Sequence, residues 1–358
     1  MNHDRISREM ENAISKGVFP GAVLLCAQGQ EIVFYKSYGM ADIFEKRKMQ
    51  KNSIFDLASL TKPLVTTLAI AKLIEKGLVS QDQKIGPIIK DLNTSQKADI
   101  TIDMLLRHKS GFPAHREYFK EIIKTKKNPR QYLRHLLIQE PLEFKIDEKQ
   151  VYSDLGFMIL SWIIEKISGQ RLDQFVEKQL YSPLEIDGLF FIEKDSTKIN
   201  PYRHKIVSTQ YCPWRKKVLV GEVDDDNAWA VGGIEGHAGL FGDAGSIYTL
   251  CCELLNALCN KPTKVLAPGI IKNFVTKKNQ DDMVAGFDTP SKENASSGSY
   301  FSTSSIGHLG FTGTSFWIDP ETSLIIVLLT NRVHPLRSNN KIKKFRPKIH
   351  DLIYSELI

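Results

Sequence analysis

Apolar residues recur at helical spacing from the start of the chain. Ile6, Met10, Ala13 and Ile14 share one face of residues 4 to 16, and Gly17 stops the run. The period then changes. In "AVLLCAQGQEIVFYKSYG" two β-rich runs flank Gly29-Gln30, which predicts a hairpin. From Thr61 to Lys76 the helical period returns through Leu64, Val65, Leu68, Ala71 and Ile74, until Gly77. Residues 80 to 220 read mostly as helix or loop. "TIDMLLRHKSGF" is a short helix stopped by Gly111, "DLGFMILSWIIEKISGQ" an apolar helix ending at Gly169, and "LDQFVEKQLYSPL" another ending at Pro183. "GGIEGHAGLFGDAGSIYTLCCELLNAL" is a glycine-rich loop feeding a helix. The Ser-, Gly- and Asp-rich stretch from 279 to 307 reads as a loop beside a cleft. "GFTGTSFWIDPETSLIIVLLTNR" is a second hairpin with Asp319-Pro320 at its turn, and "SLIIVLLT" suits a strand buried on both faces. "RPKIHDLIYSEL" reads as a closing helix.

Strands therefore sit at both ends of the chain and helices fill the middle. The expected class is α/β of the α+β kind: one antiparallel sheet built from both ends, flanked by the terminal helices. The sheet unit would comprise residues 1–78 and 228–358, with a mainly helical region, 79–227, inserted between. The cleft between them is the default ligand site.

Composition narrows the function classes. The chain has 358 residues, 42% hydrophobic and 25% charged, with a net charge of +7. That is globular. Lysines are scattered without interleaved aromatics, which fits a solvated basic surface and no nucleic-acid partner. The five cysteines (Cys26, Cys212, Cys251, Cys252, Cys259) make no metal-ligand spacing, and their odd number argues against a disulfide framework. No metal or cofactor is expected. The acidic run "VDDDN" reads as a turn or helix cap. No stretch reaches the ~18 apolar residues of a membrane span, and the first residues lack an apolar leader core. The sequence as written is expected in the cytoplasm. A periplasmic place, where peptidoglycan crosslinks are found, would need a leader ahead of it. Oligomeric state is not legible.

"FDLASLTKPLVTTLAI" carries the candidate chemistry. Ser59 and Lys62 share a helix face, and Pro63 lacks an N–H, which is harmless only in a first turn. A serine there sits among free N–H groups that favour developing negative charge. A nearby lysine becomes its base if burial or a positive neighbour lowers the lysine's pKa. The same pattern also describes a plain capping serine, so partners are required. Two are present. "VYSDLGF" places Tyr152 and Asp154 just before a buried helix, and "GHLGFTGTSFWI" places His308 at the start of a strand.

With these stretches, "GHAGLFGDAGSI" and "SLIIVLLTNRVHP" on the page, the chain resembles the serine β-lactamase and penicillin-binding-protein superfamily. The class C β-lactamase and DD-peptidase-like esterase branch is nearest. The resemblance implies a β-lactamase/transpeptidase-like fold and hydrolysis of a small ester, amide or peptide through an acyl-enzyme. It implies Ser59 as nucleophile, Lys62 as proton acceptor and Tyr152 as proton shuttle. The oxyanion would lie between the amides of Ser59 and Phe311. His308-Leu309-Gly310 falls at the family's Lys-Thr-Gly position, and Asn331 where an asparagine lies near the substrate carboxylate.

Two departures matter. Asp154 replaces an asparagine and, if ionised, would favour the Lys62 ammonium, leaving more proton transfer to Tyr152. His308 replaces a permanent cation and Leu309 a hydroxyl, so substrate carboxylates would be held less firmly, favouring simple esters over β-lactams. Competing readings are a non-catalytic sensor or binding module on the same fold, and a structural partner protein. Residue by residue, Tyr152 also reads as a satisfied buried aromatic and His308 as a strand-edge histidine. His237 reads as ordering its loop, and His108 and His115 as ordinary.

Overall fold

Leu24, Ile326 and Leu328 face one side of a sheet, Leu25, Val327 and Leu329 the other, and all are fully buried. That is why "SLIIVLLT" carries no polar alternation. The structure is a computed structural model describing residues 3–93, 96–194, 202–278, 283–291 and 295–358. Its main sheet has eight antiparallel strands. Their order is Arg47–Lys48, Glu31–Asp42, Gly21–Gln28, Leu324–Thr330, Ser315–Asp319, Ile306–Leu309, Phe287–Asp288 and Met283–Val284. The two ends of the chain meet at the centre, where Ala22 pairs with Thr330 and Gln28 with Leu324.

The helices His3–Ser15 and Ile342–Leu357 cover one face, through Ile6, Met10, Ile349 and Ile353. The other face joins the large core, with Leu64, Leu68, Ile159 and Leu254 from the remaining helices. Both hairpins form as expected, with Gly29 at φ 63° in the first turn. The apolar helix Asp154–Ser168 ends at Gly169, whose left-handed φ of 68° suits glycine.

Several boundaries differ. The Ser59 segment is not a regular helix from its start. A tight turn, Ala58–Leu60, passes into a wide π turn, Lys62–Thr67, before regular helix at Leu68–Glu75. Pro63 near the start removes a backbone donor, and such irregular turns re-aim side chains. The helix Ile102–Leu106 stops before Gly111, because His108 already takes φ 59°. The run from Leu172 passes through Pro183 and closes at Glu185, φ 57°. Phe55–Asp56, Leu240–Gly242 and Leu189–Phe191 form a small second sheet, and Tyr211–Cys212 pairs with Lys217–Val218. Strands this short show no period. The stretch from 279 to 307 is not all loop, since it supplies the two edge strands and the start of Ile306–Leu309. Residues 279–282 and 292–294 of it lie outside the described residues. The closing helix begins earlier than expected, at Ile342, which brings Ile342 to Arg346 beside the cleft. Among the described residues no helix is long and apolar enough to cross a membrane.

Leu328 lies mid-strand in the central pair. Leu328→Ala should cost about 2–5 kcal/mol, read as a lowered urea midpoint with an unchanged slope.

Candidate active site

Strand Phe55–Asp56 delivers the chain to Ser59 in a strained turn. Ala58 has φ 47°, a conformation alanine seldom takes. The buried carboxyl of Asp56 holds it there, accepting from the Ala58 amide at 2.9 Å and from the Asp224 amide at 2.6 Å. Burial first, and the neighbouring Asp224 second, push the Asp56 carboxyl up to about 7. The strand Ile306–Leu309 is tied to the same turn. Thr312 Oγ1 donates to the Asp56 carbonyl at 2.7 Å and Thr314 Oγ1 to that of Leu57 at 3.1 Å. A Cβ on Gly310 would stand 2.6 Å from the Leu57 carbonyl oxygen, so only glycine allows this approach.

Lys62 is wholly buried one turn beyond Ser59. Its Nζ donates to Asp154 Oδ1 at 2.7 Å, Ser59 Oγ at 3.2 Å and the His237 carbonyl at 3.3 Å. It also lies 4.6 Å from the centre of the Tyr152 ring. The Tyr152 hydroxyl reaches both Ser59 and Lys62. Tyr152 and Asp154 are held by their surroundings. The Ser153 amide donates to His108 Nδ1 at 2.9 Å, and Ser153 Oγ to the Pro113 carbonyl at 2.7 Å. Asp154 opens the buried helix, and its second oxygen, Oδ2, receives His115 Nδ1 at 3.0 Å.

The charges follow. Burial works against the Lys62 ammonium, but Asp154 and then Tyr152 outweigh it and hold its pKa above the ordinary value. Burial likewise disfavours the Asp154 carboxylate, and Lys62, His115 and His237 together hold it far below the usual range. Burial raises the Tyr152 phenol, against the pull of Lys62. The hydrogen bond to Asp154 raises His115. His237 is buried with Nε2 3.0 Å from Asp225 Oδ1, and that carboxylate overcomes burial to raise its pKa. Asp225 in turn caps the helix Asp226–Ala230. The other members of "VDDDN" are paired as well, Asp224 with Arg337 and Asp226 with Arg215 and Arg337.

A cavity of about 600 Å³ opens here. Ser59, Tyr152, Asp154, His308, Gly310 and Phe311 all line it, so most of the residues singled out in the sequence come together. The Phe311 amide makes no hydrogen bond to backbone among the described residues. The amide of Ser59 belongs to a first turn, which has no intrahelical acceptor. Two placements need correction. Asn331 is not in the cavity. Its amide stitches the sheet, accepting from the Gly21 amide at 2.9 Å and donating to the Met40 and Ala41 carbonyls at 3.1 and 3.3 Å. His308 is not a surface histidine. It is buried, with Nδ1 3.0 Å from the Leu309 carbonyl, and burial, then the Lys62 charge, push it down to about 3. It carries no charge near neutral pH.

Among the cavity residues that sequence reasoning missed are His115, Arg332 and Arg346. Arg332 Nε donates to the Phe311 carbonyl at 2.9 Å and fixes the turn carrying the Phe311 amide. Arg346 is 4% exposed, its Nε has no partner, and its one hydrogen bond runs to the Thr314 carbonyl at 3.4 Å. Burial and then Arg332 push it down to about 10, so it stays cationic. The sequence held a signal for it: an arginine among Ile342, Phe345, Ile349 and Ile353, on the apolar stripe of a helix. His115 had none, for its partner is distant in sequence.

Residues 5–349 match the family model described as Beta-lactamase. An Escherichia coli (strain K12) protein assigned in name as a D-alanyl-D-alanine carboxypeptidase is 30% identical over 366 residues, 93% of this chain and 83% of that one. Among solved structures, "EstCE1, a hydrolase with promiscuous acyltransferase activity" has a TM-score of 0.75 at 18% identity, covering 97% of this chain and 98% of its own. The octameric penicillin-binding protein homologue from Pyrococcus abyssi has a TM-score of 0.75 at 17% identity, covering 99% of this chain and 78% of its own. The fold is thus of the β-lactamase/transpeptidase type.

Asp154→Asn should free Lys62 from the charge that keeps it an ammonium, leaving burial to lower its pKa. The basic limb of kcat/KM for a p-nitrophenyl ester should move to lower pH by roughly 1–3 units. An unmoved limb would show that Asp154 does not set the charge of Lys62.

Proposed function

Because the chain belongs to the beta-lactamase family and is a serine hydrolase, we propose that it cleaves a small ester or amide through an acyl-enzyme on Ser59, in the cleft between the sheet unit and the inserted helical region. The observation that carries this reading is the 3.2 Å contact between Lys62 Nζ and Ser59 Oγ, with the Tyr152 hydroxyl beside both, in a lined cavity. Lys62 enters as an ammonium. Tyr152 therefore relays the proton: its oxygen takes the Ser59 proton while its own passes to the leaving group. The ammonium stabilises phenolate character throughout. The amides of Ser59 and Phe311 receive the oxyanion, each worth ~3 kcal/mol.

The substrate end that a family lysine would hold meets a neutral His308 here. Arg346 supports a different placement. A buried guanidinium offset only in part, by the Asp288 carboxylate, is costly, and a bound carboxylate relieves it. We therefore favour a leaving group that ends in a carboxylate, as in a D-amino-acid peptide, held by Arg346 while simple esters react without it. The carboxypeptidase name of the Escherichia coli relative agrees with that substrate class.

Fluorophosphonate labelling followed by intact-mass analysis should place one adduct on Ser59, and Ser59→Ala should abolish both adduct and ester hydrolysis. An unlabelled wild type would favour a non-catalytic sensor. Arg346→Met should raise KM for carboxylate-ended substrates by roughly tenfold to a hundredfold, the value of a hydrogen bond to a charged group, and leave neutral esters unchanged. Cephalosporins should turn over less efficiently than p-nitrophenyl esters.

A further inference from the structure

An acyl-enzyme on Ser59 must still be hydrolysed, and the first set of residues is poorly suited to that step. Lys62 is held as an ammonium by Asp154, and burial keeps the Tyr152 phenol protonated. His308 is buried with one ring nitrogen on the Leu309 carbonyl. Water attack needs a group that accepts a proton near neutral pH.

His115 lines the same cavity as Ser59 with its side chain about half exposed. Its Nδ1 lies 3.0 Å from Asp154 Oδ2. A carboxylate only accepts, so Nδ1 carries the proton, and once the pH exceeds the raised pKa of the ring Nε2 presents its lone pair. We propose that His115 is the general base that activates the deacylating water, oriented by Asp154. The inference rests on the acyl-enzyme reading above. It also explains the aspartate at this position. Asp154 gives one oxygen to Lys62 Nζ at 2.7 Å and the other to His115. An asparagine in the same pose would turn an amide N–H, in place of an accepting oxygen, toward one of these two donors. One carboxylate thus serves both halves of the reaction.

The step balances. Water oxygen bonds to the acyl carbon as one of its protons passes to His115 Nε2. The oxyanion collapses, the bond from the acyl carbon to Ser59 Oγ breaks, and Oγ takes the Tyr152 proton. The His115 imidazolium returns a proton to Tyr152 through solvent. The charged groups around His115 are Asp154 from the helix start, Glu117 from its own loop and Asp225 from the cap of Asp226–Ala230. Lys62 and His237 stand behind Asp154 and Asp225.

The test follows acetyl-Ser59, formed with p-nitrophenyl acetate, by timed intact-mass analysis. His115→Gln keeps an N–H for Asp154 and loses the basic nitrogen. It should acetylate at the wild-type rate and lose the acetyl group roughly 10²–10⁴-fold more slowly. Wild-type deacetylation should rise through a single titration above the ordinary histidine pKa, since Asp154 raises His115, and the variant should lack that step. Added imidazole should restore deacetylation to His115→Gly. Normal acetylation followed by wild-type loss from His115→Gln overturns the role of His115 alone. A wild type that never acetylates at Ser59 overturns the hydrolase reading and this inference with it.

Discussion

The contact on which the site depends is the buried ion pair between Lys62 and Asp154. Neither charge could stay buried alone, since an isolated ammonium or carboxylate in the interior costs several kcal/mol. Together they are satisfied: the ammonium also reaches Ser59 Oγ and the His237 carbonyl, and the carboxylate also receives His115. The pair holds the lysine as an ammonium beside the Tyr152 phenol. It also joins two distant segments, the Ser59 turn and the start of the helix Asp154–Ser168, across the mouth of the cleft.

That pair would be useless without a rigid frame for the other half of the site. The sheet is buried on both faces, and its strand Ile306–Leu309 is paired on both sides, so it cannot drift. Thr312 and Thr314 bond it to the Ser59 turn, and Gly310 lets the two backbones touch. Asp56 holds the left-handed Ala58 against its own preference, which sets the direction in which Ser59 leaves the turn. The nucleophile and the facing amide of Phe311 are thereby positioned by hydrogen bonds made before substrate arrives, which is the condition for electrostatic stabilisation of an oxyanion.

Charges of both signs line the cavity. Asp154, Asp224 and Asp225 are each paired with a cation. Arg332 and Arg346 line it too, with the Asp288 carboxylate acting on Arg346. Arg332 spends its donors on carbonyls, among them those of Phe311 and Asn339. Arg346 spends almost none.

Local patterns were enough for the two hairpins, the terminal helices, the apolar helix ending at Gly169 and the serine–lysine pair with Tyr152, because each is written within a few residues of itself. What local pattern could not supply was partnership. Asn331 looks like a cavity residue beside "LLTNR", yet its amide is consumed by Gly21, Met40 and Ala41, residues near the other end of the chain. His308 also reads as a strand-edge histidine, yet it is buried, and burial keeps it neutral. His115 reads as ordinary along the chain and acquires meaning only from Asp154. The sequence by itself determined the periodicities, and with them the elements and the reactive side chains. Only the tertiary structure decided which carboxylate meets which cation and which groups lose their water, because burial and charge pairing depend on neighbours that the chain brings together only when it folds.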